Sequence, residues 1–325
     1  MKKALLIATL VLTLAFLVAC GGSPATPPAA GNPSTDTPAT GAPVANAPAA
    51  NAPAADNPST DAPEEIAPES DFDTSRIIAV ITREDGSGTR DAFVSITGVG
   101  DDMFIEAVVE TSTSGVRAAV ETNPYAIGYV SVGSLNDSVR AVSIDGVYPS
   151  DETIIDGSFT LQRPLMVVVS AESYENPLVA DFIAFMLSAE GQAEAASSWT
   201  PVDTNPPEYT ASGLTGTIRV GGSTSVDPLM QRMREAYIAH NPGVNIEISG
   251  GGTGAGISQA REGVIDLGMS SRDLRDTERE GLRDINIALD GVAVIVNPSN
   301  PIPDFSIEQV RQIFTGEVNR WSEVG

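Results

Sequence analysis

Short runs of uninterrupted apolar residues alternate along the chain with longer stretches in which apolar positions recur every three or four residues. The runs "RIIAVIT", "AIGYVSV", "PLMVVVS", "TIRVGGS", "VNIEISG", "VIDLGMS" and "VAVIVN" are bounded by Gly, Ser, Asn or Pro and read as buried strands. Between them, "DPLMQRMREAYIAH" predicts a helix with Asp227 as N-cap and Pro228 at its first position. Leu229, Met230, Met233 and Tyr237 fall on its inner face. "NPLVADFIAFMLSAEGQAEAA" opens in the same way and turns Leu178, Phe182, Ile183 and Met186 inward. In "SIEQVRQIF", Ser306 and Gln309 have capping-box spacing. These stripes are core, and the alternation is that of an α/β protein.

The stretch 201–216, "PVDTNPPEYTASGLTG", has turn and linker chemistry and no periodicity. It separates a front piece, 74–200, from a back piece, 217–325, with no internal repeat between them. Residues 1–20 read as a secretory leader: Lys2 and Lys3, an apolar run from Ala4 to Val18, and an ending "LVAC" that resembles a lipobox with Cys20 as the lipidated residue. The run is about 15 residues, short of the ~20 needed to span a bilayer. Residues 21–73 are Ala, Pro, Asn, Thr and Ser with acids and no base, a composition too poor in apolar surface to fold, and read as a disordered tether. What remains, 74–325, is long enough for two lobes.

Charge and composition then narrow the chemistry. A formal net charge of -25 argues against nucleic acid as a partner. Cys20 is the single cysteine and His240 the single histidine, the latter at the end of a predicted helix. A disulfide, a thiolate or His-rich metal site and a Ser-His-Asp triad are thereby disfavoured, and no cofactor or metal is expected.

Three loops share one design. "REDGSGTRDAF", "GGSTSVDP" and "GGGTGAGISQ" each follow a strand and enter a helix. Small residues there let a ligand approach the unpaired N–H groups of a helix start, and hydroxyls add short donors, which suits an oxyanion. One such loop could be an ordinary turn; three, with Arg83 beside one, favour binding. No loop carries the Lys of a Walker A motif, Gly250-x-Gly252-x-x-Ala255 is a weak dinucleotide match, and no G-x-S-x-G occurs.

"REDGSGTRDAF" resembles the R-x-D-G-S-G-T signature of the phosphate-binding proteins of bacterial ABC transporters. "GGSTSVDPL", "GGGTGAGI", "DLGMSSR", "YAIGYVSV" and "IFTGEVNRW" resemble further segments of that family. The resemblance implies a two-lobed periplasmic-binding-protein fold with hinge strands, closing on dehydrated phosphate. The family order begins at "GGSTSV" and ends at "PLMVVV", whereas this chain starts in the middle, so it reads as circularly permuted, with 201–216 joining the old ends. One lobe would then be about 161–290, and the other 74–160 plus 291–325.

By the same resemblance, Arg83 would pair with phosphate oxygens while Asp85 orients its guanidinium. Ser87, Gly88, Thr89, Thr224, Ser225 and Thr253 would donate to the ligand. Ser271 stands where many relatives carry an acidic acceptor, which weakens the expected discrimination of phosphate from sulfate. Arg90 reads as a solvated helix residue; whether Arg272 or Asp273 faces the ligand is open. The implied role is a non-enzymatic, lipid-anchored receptor outside the membrane, monomeric, delivering inorganic phosphate to permease subunits. The same fold tuned to sulfate or molybdate, an enzyme acting on phosphate esters, and an interaction module with an unused site are the alternatives.

Overall fold

The computed structural model describes residues 71–324; the leader, Cys20 and nearly all of the 21–73 tether lie outside them. The chain first lays down β1 (Ala79–Arg83), α1 (Gly88–Thr97), β2 (Val108–Glu110), α2 (Thr113–Thr122) and β3 (Ala126–Ser131). Two short strands, β4 (Arg140–Ala141) and β5 (Ser143–Ile144), and the helix α3 (Asp151–Ile155) follow. Next come β6 (Gln162–Ser170), α4 (Ala171–Tyr174), α5 (Pro177–Met186), α6 (Ala189–Ala195), β7 (Gly216–Gly222), α7 (Asp227–His240), β8 (Val244–Gly250), α8 (Thr253–Arg261) and β9 (Leu267–Ser270). The long β10 (Leu282–Val296), then β11 (Asp304–Phe305) and α9 (Ile307–Thr315), complete the fold.

The sheet order is β2-β1-β3-β10-β6-β9-β7-β8. Leu282–Gly291 of β10 pair antiparallel with β6, and the last five residues pair with β3. Each stretch is therefore hydrogen-bonded into a different set of strands. Apolar packing divides at the same place. One core is drawn from residues between Leu165 and Ala288, and another from residues up to Leu161 and from Val292 onward. Arg163 and Asp290 are register partners in the gap between these two cores.

In the lobe built from both chain ends, the sheet is buried on both faces. Val292, Val294 and Val296 point to the core under α1 and α9, whereas Ala293 and Ile295 point to Val116 and Val120 of α2. Strands covered by helices on both sides read as unbroken apolar runs, which is why these were legible in the sequence. In the continuous lobe one face carries α5 and α7 through Phe182, Ile183, Leu229, Met230, Met233 and Tyr237. The other face receives α8 through Ile257 and through bare backbone. A Cβ on Gly256 would stand 2.7 Å from Gly221 O, so only glycine lets α8 lie this close to β7.

Two expected helix starts differ. Asp227 is already helical; the preceding Ser223–Val226 turn winds the chain, with Val226 N and Asp227 N both donating to Ser223 O. The stretch beginning at Asn176 is two helices, because Ser188 donates to Phe185 O and caps α6 by accepting from Gly191 N. Asn176 itself caps α5, and the Ser306–Gln309 capping box is present.

Residues 201–215 contain no helix or strand, yet they are tied down. Asp181 Oδ2 accepts from Tyr209, Ser212 and Tyr237 hydroxyls at 2.6–2.8 Å. Glu190 accepts from Tyr209 N, and Gln192 from Val202 N. Burial first, then the bond to Asp181, pushes both tyrosine hydroxyls above their ordinary range, so they remain donors.

Candidate functional site

Arg83 is the last residue of β1 and, at 2 % exposure, one of the most deeply buried side chains. Its Nε and Nη2 each donate to a Glu84 carboxylate oxygen at 2.8 Å, and Nη1 reaches Thr113 Oγ1 at 3.3 Å. The backbone is held as well. Tyr129 Oη accepts from Arg83 N and shares a 2.8 Å hydrogen bond with Thr82 Oγ1, while its ring stacks on Phe93 at 4.0 Å. Burial raises the Tyr129 hydroxyl, keeping it neutral.

The carboxylate that orients Arg83 is thus Glu84, not Asp85. Asp85 is 96 % exposed and pairs with Arg90 across the first turn of α1. The chain reverses at Gly86, with φ +86°, and that turn faces Asp85 to solvent while Glu84 folds back on the guanidinium. Arg90 is a surface partner, as its sequence position suggested.

Around Arg83 the two lobes present hydroxyls to one another. Ser225 Oγ lies 2.8 Å from Thr89 Oγ1 and 2.9 Å from Thr113 Oγ1. Thr224 Oγ1 accepts from Thr113 N at 3.3 Å. Ser223 Oγ donates to Ser271 Oγ at 2.9 Å, and Thr253 Oγ1 accepts from Ser271 N. Gly88 sits against this group: a Cβ there would fall 2.4 Å from Thr253 Oγ1 and 2.7 Å from Ser271 Oγ. Ser87 caps α1 by accepting from Arg90 N, so its hydroxyl serves the helix start. The N-termini of α1 and α8 both open here, and Gly254 N donates across the lobes to Gly86 O at 3.0 Å. All the anticipated positions except Asp85 are therefore brought to one place.

Chemically, the cluster offers one permanent cation, two helix starts and hydroxyls that can donate or accept. The acid beside Arg83 is Glu84, and that carboxylate is committed to the guanidinium. Ser271 is fully buried and occupied by Ser223, so no carboxylate confronts a ligand there. Arg272 and Asp273 lie aside: Arg272 pairs with Asp91 and Glu278. An open cavity of about 580 Å³ adjoins the cluster along Asp91, Arg163, Arg272 and Arg275. Its arginines pair with Asp91, Asp290 and Glu278, and Arg163 Nη1 alone among their buried donors is left without a partner. Among the described residues no group of three or more His, Cys, Asp or Glu is placed to hold a metal.

Sequence reasoning missed Thr113, Ser223, Glu84 and Tyr129. Thr113 and its neighbours, "ETSTSG", form a fourth small-polar junction, from β2 into α2 with Ser112 as cap. The signal was present, without the glycine run that marked the other three. Ser223 was quoted within its loop and not singled out.

The sequence profile of the PBP superfamily domain matches residues 48–190 and 207–325. The chain is 42% identical over 259 residues to the phosphate-binding protein PstS 2 of Streptococcus pneumoniae serotype 4, covering 77% of this chain and 88% of that protein. The crystal structure of a phosphate-binding protein of a phosphate ABC transporter from Streptococcus pneumoniae TIGR4 matches with TM-score 0.64 and 41% identity, over 77% of this chain and 100% of that one. Phosphate-binding protein PstS of Bacillus subtilis is 34% identical over 148 residues, 44% of this chain and 48% of that protein. A buried arginine and paired hydroxyl loops between two lobes, together with identity over most of the folded chain, lead to one assignment: the chain belongs to the PBP superfamily, in the family of the streptococcal phosphate-binding proteins PstS 2.

Proposed function

We propose that the protein is a receptor, not an enzyme, that captures inorganic phosphate outside the membrane and delivers it to the permease subunits of an ABC importer. The carrying observation is the buried Arg83 guanidinium, faced by hydroxyls from both lobes. Charge-assisted hydrogen bonds from a preorganised arginine suit a tetrahedral oxyanion, and neutral donors complete its coordination without excess charge. The phosphate-binding relatives supply the ligand class. Anchoring through lipid on Cys20 and a monomeric state belong to the same reading; "LVAC" supports the first.

The lobe order is proposed to be permuted relative to the Bacillus subtilis form. Support comes from that protein aligning over 48% of its length, as when a collinear match takes up one piece at a time. The order is not peculiar to this chain, because PstS 2 aligns along 88% of its own length. Close bonding of 201–215 to α5, to α6 and to Asn241 at the end of α7 fits a junction between former ends.

Calorimetric titration with phosphate, with sulfate as competitor, tests the reading. Arg83→Ala should weaken phosphate binding by several hundredfold, because Glu84 is left near the ligand without its counter-ion, at a cost of about 3–5 kcal/mol. Equal binding by parent and variant would remove Arg83 from the site. Sulfate binding as tight as phosphate binding would favour a general oxyanion receptor, the outcome to which Ser271 lends weight.

A further inference from the structure

The loops that hold the ligand also carry charges that do not touch it. α1 presents Gly88 and Thr89 to the cluster, and two residues later Asp91 turns to the opposite lobe. Asp91 Oδ2 accepts from Arg272 Nε and from Arg275 Nη2, both at 2.7 Å. Arg272 directly follows Ser271 of the hydroxyl cluster. It is held in its own lobe by two bonds to Glu278, at 2.7 and 2.9 Å, and by Asp273 O. The guanidinium is therefore aimed before the lobes meet, and the missing piece is the carboxylate from α1.

We propose that Asp91, Arg272 and Arg275 form a closure latch, positioning residues that set oxyanion affinity by favouring the shut arrangement of the lobes without contacting the ligand. The proposal rests on the phosphate-receptor reading for its ligand, but the latch itself has a ligand-free readout. A receptor that binds when closed has an apparent affinity scaled by its closed fraction, so any contact made only on closure raises affinity. Two charge-assisted bonds on one carboxylate oxygen, partly screened at a cleft edge, are such a contact. Arg272 stands one residue from Ser271 and Asp91 two from Thr89, so latch and ligand engagement form together.

Asp91→Asn removes the charge and leaves Arg272 paired with Glu278, so no buried cation is orphaned and the fold should hold. For the full chain, the phosphate dissociation constant should rise about fivefold to tenfold, mostly through faster release, with association little changed. Arg275→Gln should have a smaller effect in the same direction, because Arg275 is 59 % exposed. In the ligand-free protein, amide exchange at Gly254, whose N–H bonds to Gly86 O of the other lobe, should quicken in Asp91→Asn while the unfolding midpoint stays put. High salt should shrink the difference between parent and Asp91→Asn. Unchanged Gly254 exchange together with unchanged phosphate release would overturn the latch. A parent that binds no phosphate would defeat the receptor reading alone, with Gly254 exchange still deciding the latch.

Discussion

The two lobes solve one problem by different means. The lobe assembled from both chain ends buries its sheet under helices on both faces and supplies the buried cation of the cluster, Arg83, with its counter-ion Glu84. The continuous lobe has one large core, lays α8 on glycine backbone, and supplies only hydroxyls and a helix start. A charged group needs rigid support from behind, which Tyr129, Phe93 and the doubly covered strands give. Hydroxyls rotate to suit a ligand and need less. The difference assigns strength to one side of the cleft and accommodation to the other.

The largest effect that would test this division lies at the boundary. Arg163 donates through Nε and Nη2 to Asp290 Oδ2 at 3.1 and 2.9 Å, fully buried between the cores. Asp290→Asn should lower stability by about 3–5 kcal/mol, since it leaves a buried guanidinium without its charge partner. Replacing both residues, Arg163→Met with Asp290→Leu, should restore much of that loss in a denaturant melt. If the double change melts as low as the single one, the pair is more than a charge-compensated joint.

Within the cleft, Ser225→Ala in the continuous lobe should weaken phosphate binding about tenfold, one hydrogen bond's worth in a buried site. That loss should be far below the loss for Arg83→Ala, measured by the same titration. Comparable losses would erase the contrast between the lobes. Smaller still is the strap: Asp181→Asn disturbs three hydroxyl bonds while keeping an acceptor oxygen, and should cost about 1 kcal/mol of stability, with phosphate affinity intact. A large change in affinity would mean that 201–215 is coupled to the cleft.

The smallest effect concerns acid. The Arg272 bond, with Arg275 N adding to it against burial, lowers the Glu278 pKa below its ordinary 4.5. A depressed carboxylate stabilises the fold above its unfolded pKa and loses that contribution as pH falls through the folded one. Stability of parent and Glu278→Gln should therefore differ by a constant amount from neutral pH down to about 4.5 and converge below it. A gap that closed between pH 7 and 6 would exclude Glu278 as its cause.

Much of this was legible because burial on both faces leaves unbroken apolar runs, and because strand-to-helix junctions rich in Gly, Ser and Thr have few other uses. β10 was only half visible. "VAVIVN" is fully buried, whereas Leu282–Asn286 is partly exposed and shows no clear alternation. Choosing between Glu84 and Asp85 needed the turn at Gly86, because adjacent residues differ in direction by local dihedrals that composition does not encode. Thr113 was hidden because its neighbour in the cluster, Ser225, lies 112 residues away. The 201–215 strap looked like a free linker because its partners Asp181, Glu190 and Gln192 sit on other elements.

β10 has a consequence for how such a chain can be rearranged. Both lobes are stitched along one uninterrupted backbone, paired over Leu282–Gly291 to β6 and on its last five residues to β3. Chain ends can migrate among surface loops with every contact retained. A break inside Leu282–Val296 would instead sever the axle on which both halves turn, leaving two fragments with raw strand edges. Gene rearrangements of this fold are thus confined to the loops, and the strand between the lobes is the stretch that must be inherited whole.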